Sequence, residues 1–195
     1  MEDKNLSATE SLHLIEGMIN KAKDRFAENG LLYLLWGWVV LACSITQYIL
    51  IMYSNFSKPE MVWAITWLVV IFQIFYLSKQ EKNRKVKTYT DELIGFVWMV
   101  FGISMFIVGF ILGKNNQWTS MYPIIIGLYG MPTFLSGAIM KFKPLKVGAI
   151  CCWIFAILST FIPLQYSLLL IGAAVIVAWI IPGYLLRQKF IQENK

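Results

Sequence analysis

Six long apolar runs separated by short polar segments limit what this chain can fold into. They lie at roughly 31–53, 61–77, 93–112, 118–140, 145–162 and 166–186. Each run approaches the ~20 residues with which an α-helix crosses a bilayer. Backbone amides in hydrocarbon must find their hydrogen bonds inside the protein, and a helix supplies them locally. The sequence therefore predicts an all-α polytopic membrane protein with six transmembrane helices arranged as three hairpins.

The overall composition supports the same class. Of the 195 residues, 58% are hydrophobic and only 14% are charged, whereas a soluble domain has ~25% charged residues. The formal net charge of +6 could indicate nucleic-acid binding, but the positive charges flank the apolar runs. A bias of Lys and Arg toward cytoplasmic loops explains that placement, and no nucleic-acid partner is expected.

The distribution of Lys and Arg predicts the topology. When the amino terminus, the loops at 78–91 and 141–146 and the carboxy terminus are assigned to one side, only Lys58 and Lys114 of the 17 basic residues fall on the other. Since Lys and Arg in short loops stay in the cytoplasm, we expect a multi-pass protein of the cytoplasmic membrane with both termini inside.

An amphipathic helix is predicted before the first run, over residues ~7–28. Ser7 and Glu10 have the spacing of a capping box, and Asn29-Gly30 is a good helix stop. The apolar stripe of this helix consists of Leu12, Ile15, Ile19, Ala22 and Phe26. Such a helix can lie on the membrane surface, pack under the bundle or dock a partner protein. We divide the chain into this cytoplasmic helix (1–30), the transmembrane domain (31–186) and a cytoplasmic tail (187–195).

Two glutamines, Gln47 and Gln73, are the polar positions of interest within the runs. A glutamine in hydrocarbon needs a hydrogen-bond partner, and a bond between helices contributes ~0.6–2 kcal/mol. The two side chains can therefore join helices, or they can line a polar permeation path.

Glycine and proline mark two of the helices. Gly95, Gly102 and Gly109 recur every seven residues on one face of the third run. Such a face permits the close approach of another helix, from the same bundle or from a second protomer. Pro132 lies inside the fourth run, where it removes an amide donor and should kink the helix. Broken helices form binding sites in some transporters.

The chain offers little catalytic chemistry. The runs contain no Asp, Glu, Arg or His, and their one lysine, Lys146, borders the 141–146 loop. No HExxH, P-loop or Cys/His metal motif occurs. We therefore predict no enzymatic activity, metal or cofactor. The favoured interpretation is an accessory or regulatory membrane subunit that acts through protein contacts, with the lipid bilayer as its environment and a homo-oligomer as one arrangement. The alternative is a small-solute permease or channel without a buried charged coupling site.

Overall fold

The structure is a computed structural model that describes residues 30–54, 56–83 and 89–193. Regular structure in these residues is entirely helical. The helices are α1 (Leu31–Tyr53), a 3-10 helix (Pro59–Ala64), α2 (Ile65–Asn83), α3 (Tyr89–Lys114), α4 (Trp118–Ile139), α5 (Lys143–Ser159), α6 (Leu164–Val175), a π-helical segment (Ile176–Ile180) and α7 (Ile181–Glu193). The amphipathic helix predicted for ~7–28, including its apolar stripe, lies outside the described residues.

Within the described residues, five helices are long and apolar enough to cross a membrane. They are α1, the stretch Pro59–Lys79, the stretch Glu92–Lys114, α4 and the stretch Leu164–Gln192. The last of these joins α6, the π segment and α7 into one continuous helix, which we call the C-terminal rod. The described residues, entirely helical where regular and including five such helices, agree with the predicted class of all-α membrane protein. The remaining predicted span corresponds to α5, which has 17 residues.

The helices divide into a packed core and a periphery. α4 and α5 contact each other extensively, and α1, α4 and α5 all pack against the C-terminal rod, whereas α2 mainly contacts α1 and the 3-10 helix, and α3 mainly contacts α4. About half of the apolar stretch is buried in α4 (50%) and in the rod (56%), but only 6% is buried in Pro59–Lys79 and in Glu92–Lys114. The two peripheral helices thus expose most of their apolar side chains.

The core is tight because glycines let helix backbones meet. A Cβ atom added to Gly148 in α5 would lie 2.6 Å from Cα of Ala178 and 2.7 Å from the carbonyl oxygen of Val177. Both residues belong to the π segment, where the amide of Ile181 bonds the carbonyl of Ile176, five residues earlier. Pro182 follows this turn directly, has no amide hydrogen and crowds the carbonyl four residues before it, which accounts for the wider turn.

Candidate functional site

Gln47 occupies a buried position at the centre of a hydrogen-bonded trio. Its Nε2 donates to the hydroxyl of Tyr122 in α4 at 2.7 Å, and its Oε1 accepts from Nε1 of Trp63 in the 3-10 helix at 2.6 Å. The side chain is 3% exposed. Both ends of the amide are therefore engaged by other helices, which is the joining role that the sequence allows for this residue.

Gln73 makes the reciprocal contact between the same two chain segments. Its Oε1 accepts a hydrogen bond from Nε1 of Trp36 in α1. Each half of the first hairpin thus contributes one glutamine and one tryptophan. The tryptophan of each half bonds the glutamine of the other half, and the two bonds lie toward opposite ends of the hairpin. A tryptophan side chain has a single N–H donor, and lipid tails offer it no acceptor. Each pair therefore satisfies an indole N–H that would otherwise be unbonded.

An aromatic cluster fills the space between α1, α3, α4 and the C-terminal rod. The rings of Tyr129 and Trp179 lie 4.6 Å apart, those of Trp98 and Trp179 lie 6.0 Å apart, and Tyr33 meets Trp98 edge-on at 5.6 Å. These distances are those of favourable aromatic pairs. Nε1 of Trp179 donates to Oγ1 of Thr133 at 2.9 Å. Trp98 connects the peripheral helix α3 to this core.

Hydroxyl groups supply most of the remaining polar contacts in the core. Oγ of Ser44 donates to the carbonyl of Leu168 at 2.7 Å, and Oγ1 of Thr133 donates to the carbonyl of Tyr129 at 2.7 Å. Two buried hydroxyls, those of Tyr33 and Ser136, have no hydrogen-bond partner among the described residues. The polar interior is therefore neutral and almost fully paired.

The predicted glycine face of α3 points away from the core. A Cβ atom on Gly95 or Gly102 would meet no atom within 4 Å, and one on Gly109 would meet only the methyl of Met121 at 3.9 Å. Gly102 lies about 160° around the helix from Ser104, which faces α4. The face is therefore open toward the outside of the bundle, and within the described part of the chain no helix packs on it.

Pro132 is buried in α4, at one wall of a surface groove. The groove has a volume of about 360 Å³ and lies between α3 and α4. It extends from Leu93 and Ile139, at one end of the two helices, to Ser104 and Leu128 near their middles. Ser104 is the one polar residue among those that line it. Pro132 thus borders an apolar groove rather than a polar site.

The described residues contain no cluster of metal-binding side chains. No group of three or more His, Cys, Asp or Glu side chains that could hold a metal ion occurs among them. Cys43, Cys151 and Cys152 are free thiols.

Several residues of the polar network escaped the sequence analysis. Tyr122 and Thr133 lie in α4 and Trp63 lies in the 3-10 helix, and nothing in their spacing marks them as hydrogen-bond partners of Gln47 or Trp179. One available signal was the number of donors, since each tryptophan and tyrosine in an apolar run carries a polar hydrogen that must be satisfied. That rule identifies residues that need partners but does not pair them.

In the described residues, the helical fold and the hydrogen bonds between its core side chains define a membrane-type protein with a neutral interior. No protein-family model, curated protein or solved structure matches the chain.

Proposed function

We propose that this chain is a six-span, non-enzymatic membrane protein that acts as an accessory or regulatory subunit through contacts made within the bilayer. In this proposal the six spans form three hairpins, both termini are cytoplasmic, and the packed core presents α2 and α3 to a protein partner or to a second copy. The observation that carries the proposal is the open glycine face of α3, which permits close helix packing although no helix of the described part of the chain packs on it.

The contacts of α5 support its membrane crossing. α4 and α5 are joined by three residues, 140–142. A Cβ on Gly137 would lie 2.8 Å from Leu145 at one end of the pair, and one on Gly127 would lie 3.6 Å from Ala156 at the other. α5 therefore runs antiparallel to α4 over much of its length. Its 17 residues span ~26 Å at 1.5 Å per residue, close to the ~30 Å hydrocarbon core.

The hydrogen bonds of the two glutamines favour an accessory role over a permease. A permeation path that used Gln47 would need its amide free to face a solute, but Tyr122 and Trp63 occupy both ends. Gln73 likewise accepts from Trp36. The two mid-span glutamines, which could interact with a polar solute, instead hold helices together.

The proposal is tested by replacing Gly102 with leucine. This change should leave the packing of the protomer intact, because no atom of the described residues lies within 4 Å of a Cβ added at this position. The protein is purified from native membranes in mild detergent as wild type, as Gly102→Leu and as the control Ile157→Phe, which enlarges an exposed apolar side chain on α5.

Wild type and Ile157→Phe should retain a stoichiometric partner protein or a homo-oligomer, and Gly102→Leu should lose it. If all three proteins purify alone, or if Gly102→Leu keeps its partner, contact through this face is wrong. A deletion of residues 1–28 in the same experiment tests whether the predicted amphipathic helix contributes a second contact.

A further inference from the structure

The apolar groove between α3 and α4 has the depth of a single membrane leaflet. It extends from Leu93 to Ser104 on α3 and from Ile139 to Leu128 on α4. Eleven residues of helix rise ~16 Å, and half of the ~30 Å hydrocarbon core is ~15 Å. The groove therefore starts near one membrane surface and ends near the bilayer midplane.

The width of the groove fits a hydrocarbon chain and not a helix. A volume of about 360 Å³ open to the centre of a water molecule, spread over a length of ~16 Å, gives a path about 5 Å wide for that centre, and the ~1.4 Å radius of water on each side makes the groove about 8 Å wide. Carbon atoms pack at ~3.5–4 Å, so one extended acyl chain fits in the groove with its sides in contact. An α-helix with its side chains is ~10–12 Å across and would not enter it.

Charged side chains of both signs lie close in sequence to the residues at the open end of the groove. Lys141 and Lys143 come two and four residues after Ile139, and both are exposed. Glu92, also exposed, directly precedes Leu93 on the opposite side, and Asp91 precedes it in the sequence. A headgroup with a phosphate and a primary amine complements this arrangement, because lysines attract the phosphate and a carboxylate attracts the ammonium.

We propose that this groove binds a phospholipid with an amine-bearing headgroup, one acyl chain lying between α3 and α4 and the phosphate lying at Lys141 and Lys143. The lipid comes from the leaflet at the end where α3 begins, which is the cytoplasmic leaflet in the topology proposed above. The lipid site itself depends on neither a protein partner nor that orientation.

Native mass spectrometry of the full chain tests the acyl-chain site. The protein is stripped of lipid in detergent and then titrated with phosphatidylethanolamine. Wild type should bind one molecule per chain. Ser104→Phe, which places a ring at the deep end of the groove, should lose it, whereas Ile103→Phe, which enlarges a neighbouring exposed side chain that does not line the groove, should keep it. Equal binding by the two variants would overturn the proposal, as would a co-purifying protein displaced by Ser104→Phe in place of the lipid.

Headgroup variants test the polar end. Lys141→Gln with Lys143→Gln should weaken binding of phosphatidylethanolamine and phosphatidylglycerol alike, by about fivefold for each charge that contacts the phosphate. Glu92→Gln should weaken only phosphatidylethanolamine. If wild type prefers phosphatidylglycerol, or if Glu92→Gln affects both lipids equally, the amine-bearing headgroup is wrong.

Discussion

Nε1 of Trp63 donates a hydrogen bond to Oε1 of Gln47 at 2.6 Å, and the same amide donates from its other end to Tyr122. The first hairpin is thereby tied to α4 through one side chain. In a membrane, where water cannot replace a lost partner, this arrangement makes Gln47 a structural link between three helices.

Replacing Gln47 with leucine should destabilise the protein more than replacing Gln73. Gln47→Leu leaves both the Trp63 N–H and the Tyr122 hydroxyl without their partner, at ~0.6–1.7 kcal/mol for each interhelical bond, and thus about 1–3 kcal/mol in total. Gln73→Leu removes one hydrogen bond, that from Trp36, and should cost about half as much. Unfolding in mixed micelles measures both values. Equal losses would show that the trio does not act as a unit.

Glycine-to-alanine substitutions should have opposite effects at Gly148 and Gly102. At Gly148 the new methyl would collide with the backbone of Ala178 and Val177, so helices must separate at a cost of about 1–3 kcal/mol. At Gly102 the methyl meets nothing, and alanine favours the helix by up to ~1 kcal/mol. The midpoint of thermal unfolding of the detergent-solubilised monomer should fall for the first and stay or rise for the second. A fall at Gly102 would contradict the open face of α3.

Thr133 and Ser136 lie one turn apart in α4, and their hydroxyls should contribute differently to stability. Thr133→Val leaves Nε1 of Trp179 without its acceptor and should lower the free energy of unfolding by about 1–2 kcal/mol. Ser136→Ala removes a buried hydroxyl that has no partner among the described residues and should leave stability unchanged or slightly higher. A loss at Ser136 equal to that at Thr133 would reveal a bound water or a direct bond to Tyr33.

Cysteine labelling should place the two ends of α5 on opposite sides of the membrane. In a background without the three native cysteines, Phe161→Cys and Gln117→Cys should react with an impermeant thiol reagent from the same, outer side. Lys143→Cys should react only from the inner side. All three positions are exposed. If Phe161→Cys labels together with Lys143→Cys, α5 does not cross and the six-span topology is wrong.

The extent of the helices was predictable because it depends on local composition. The first run, 31–53, coincides with α1, and the fourth, 118–140, differs from α4 by one residue. An apolar stretch in hydrocarbon has to form its own hydrogen bonds, so the ends of the helix follow the ends of the run. The helical stretches that contain the second and sixth apolar runs extend beyond both ends of those runs, because polar residues such as Gln80 and Lys189 can continue a helix beyond the apolar core.

By itself, then, the sequence determined the helical membrane class, the approximate limits of the apolar helices and the residues that need hydrogen-bond partners. The tertiary structure decided which faces turn inward. Lipid and protein interior are equally apolar, so a membrane helix need not carry the polar stripe that orients a soluble one. The spacing of Gly95, Gly102 and Gly109 could therefore be recognised in the sequence, but the outward direction of the face that they form could not. Gln47 met Tyr122, 75 residues away, only because α1 and α4 both pack against the C-terminal rod, an arrangement that no local pattern encodes.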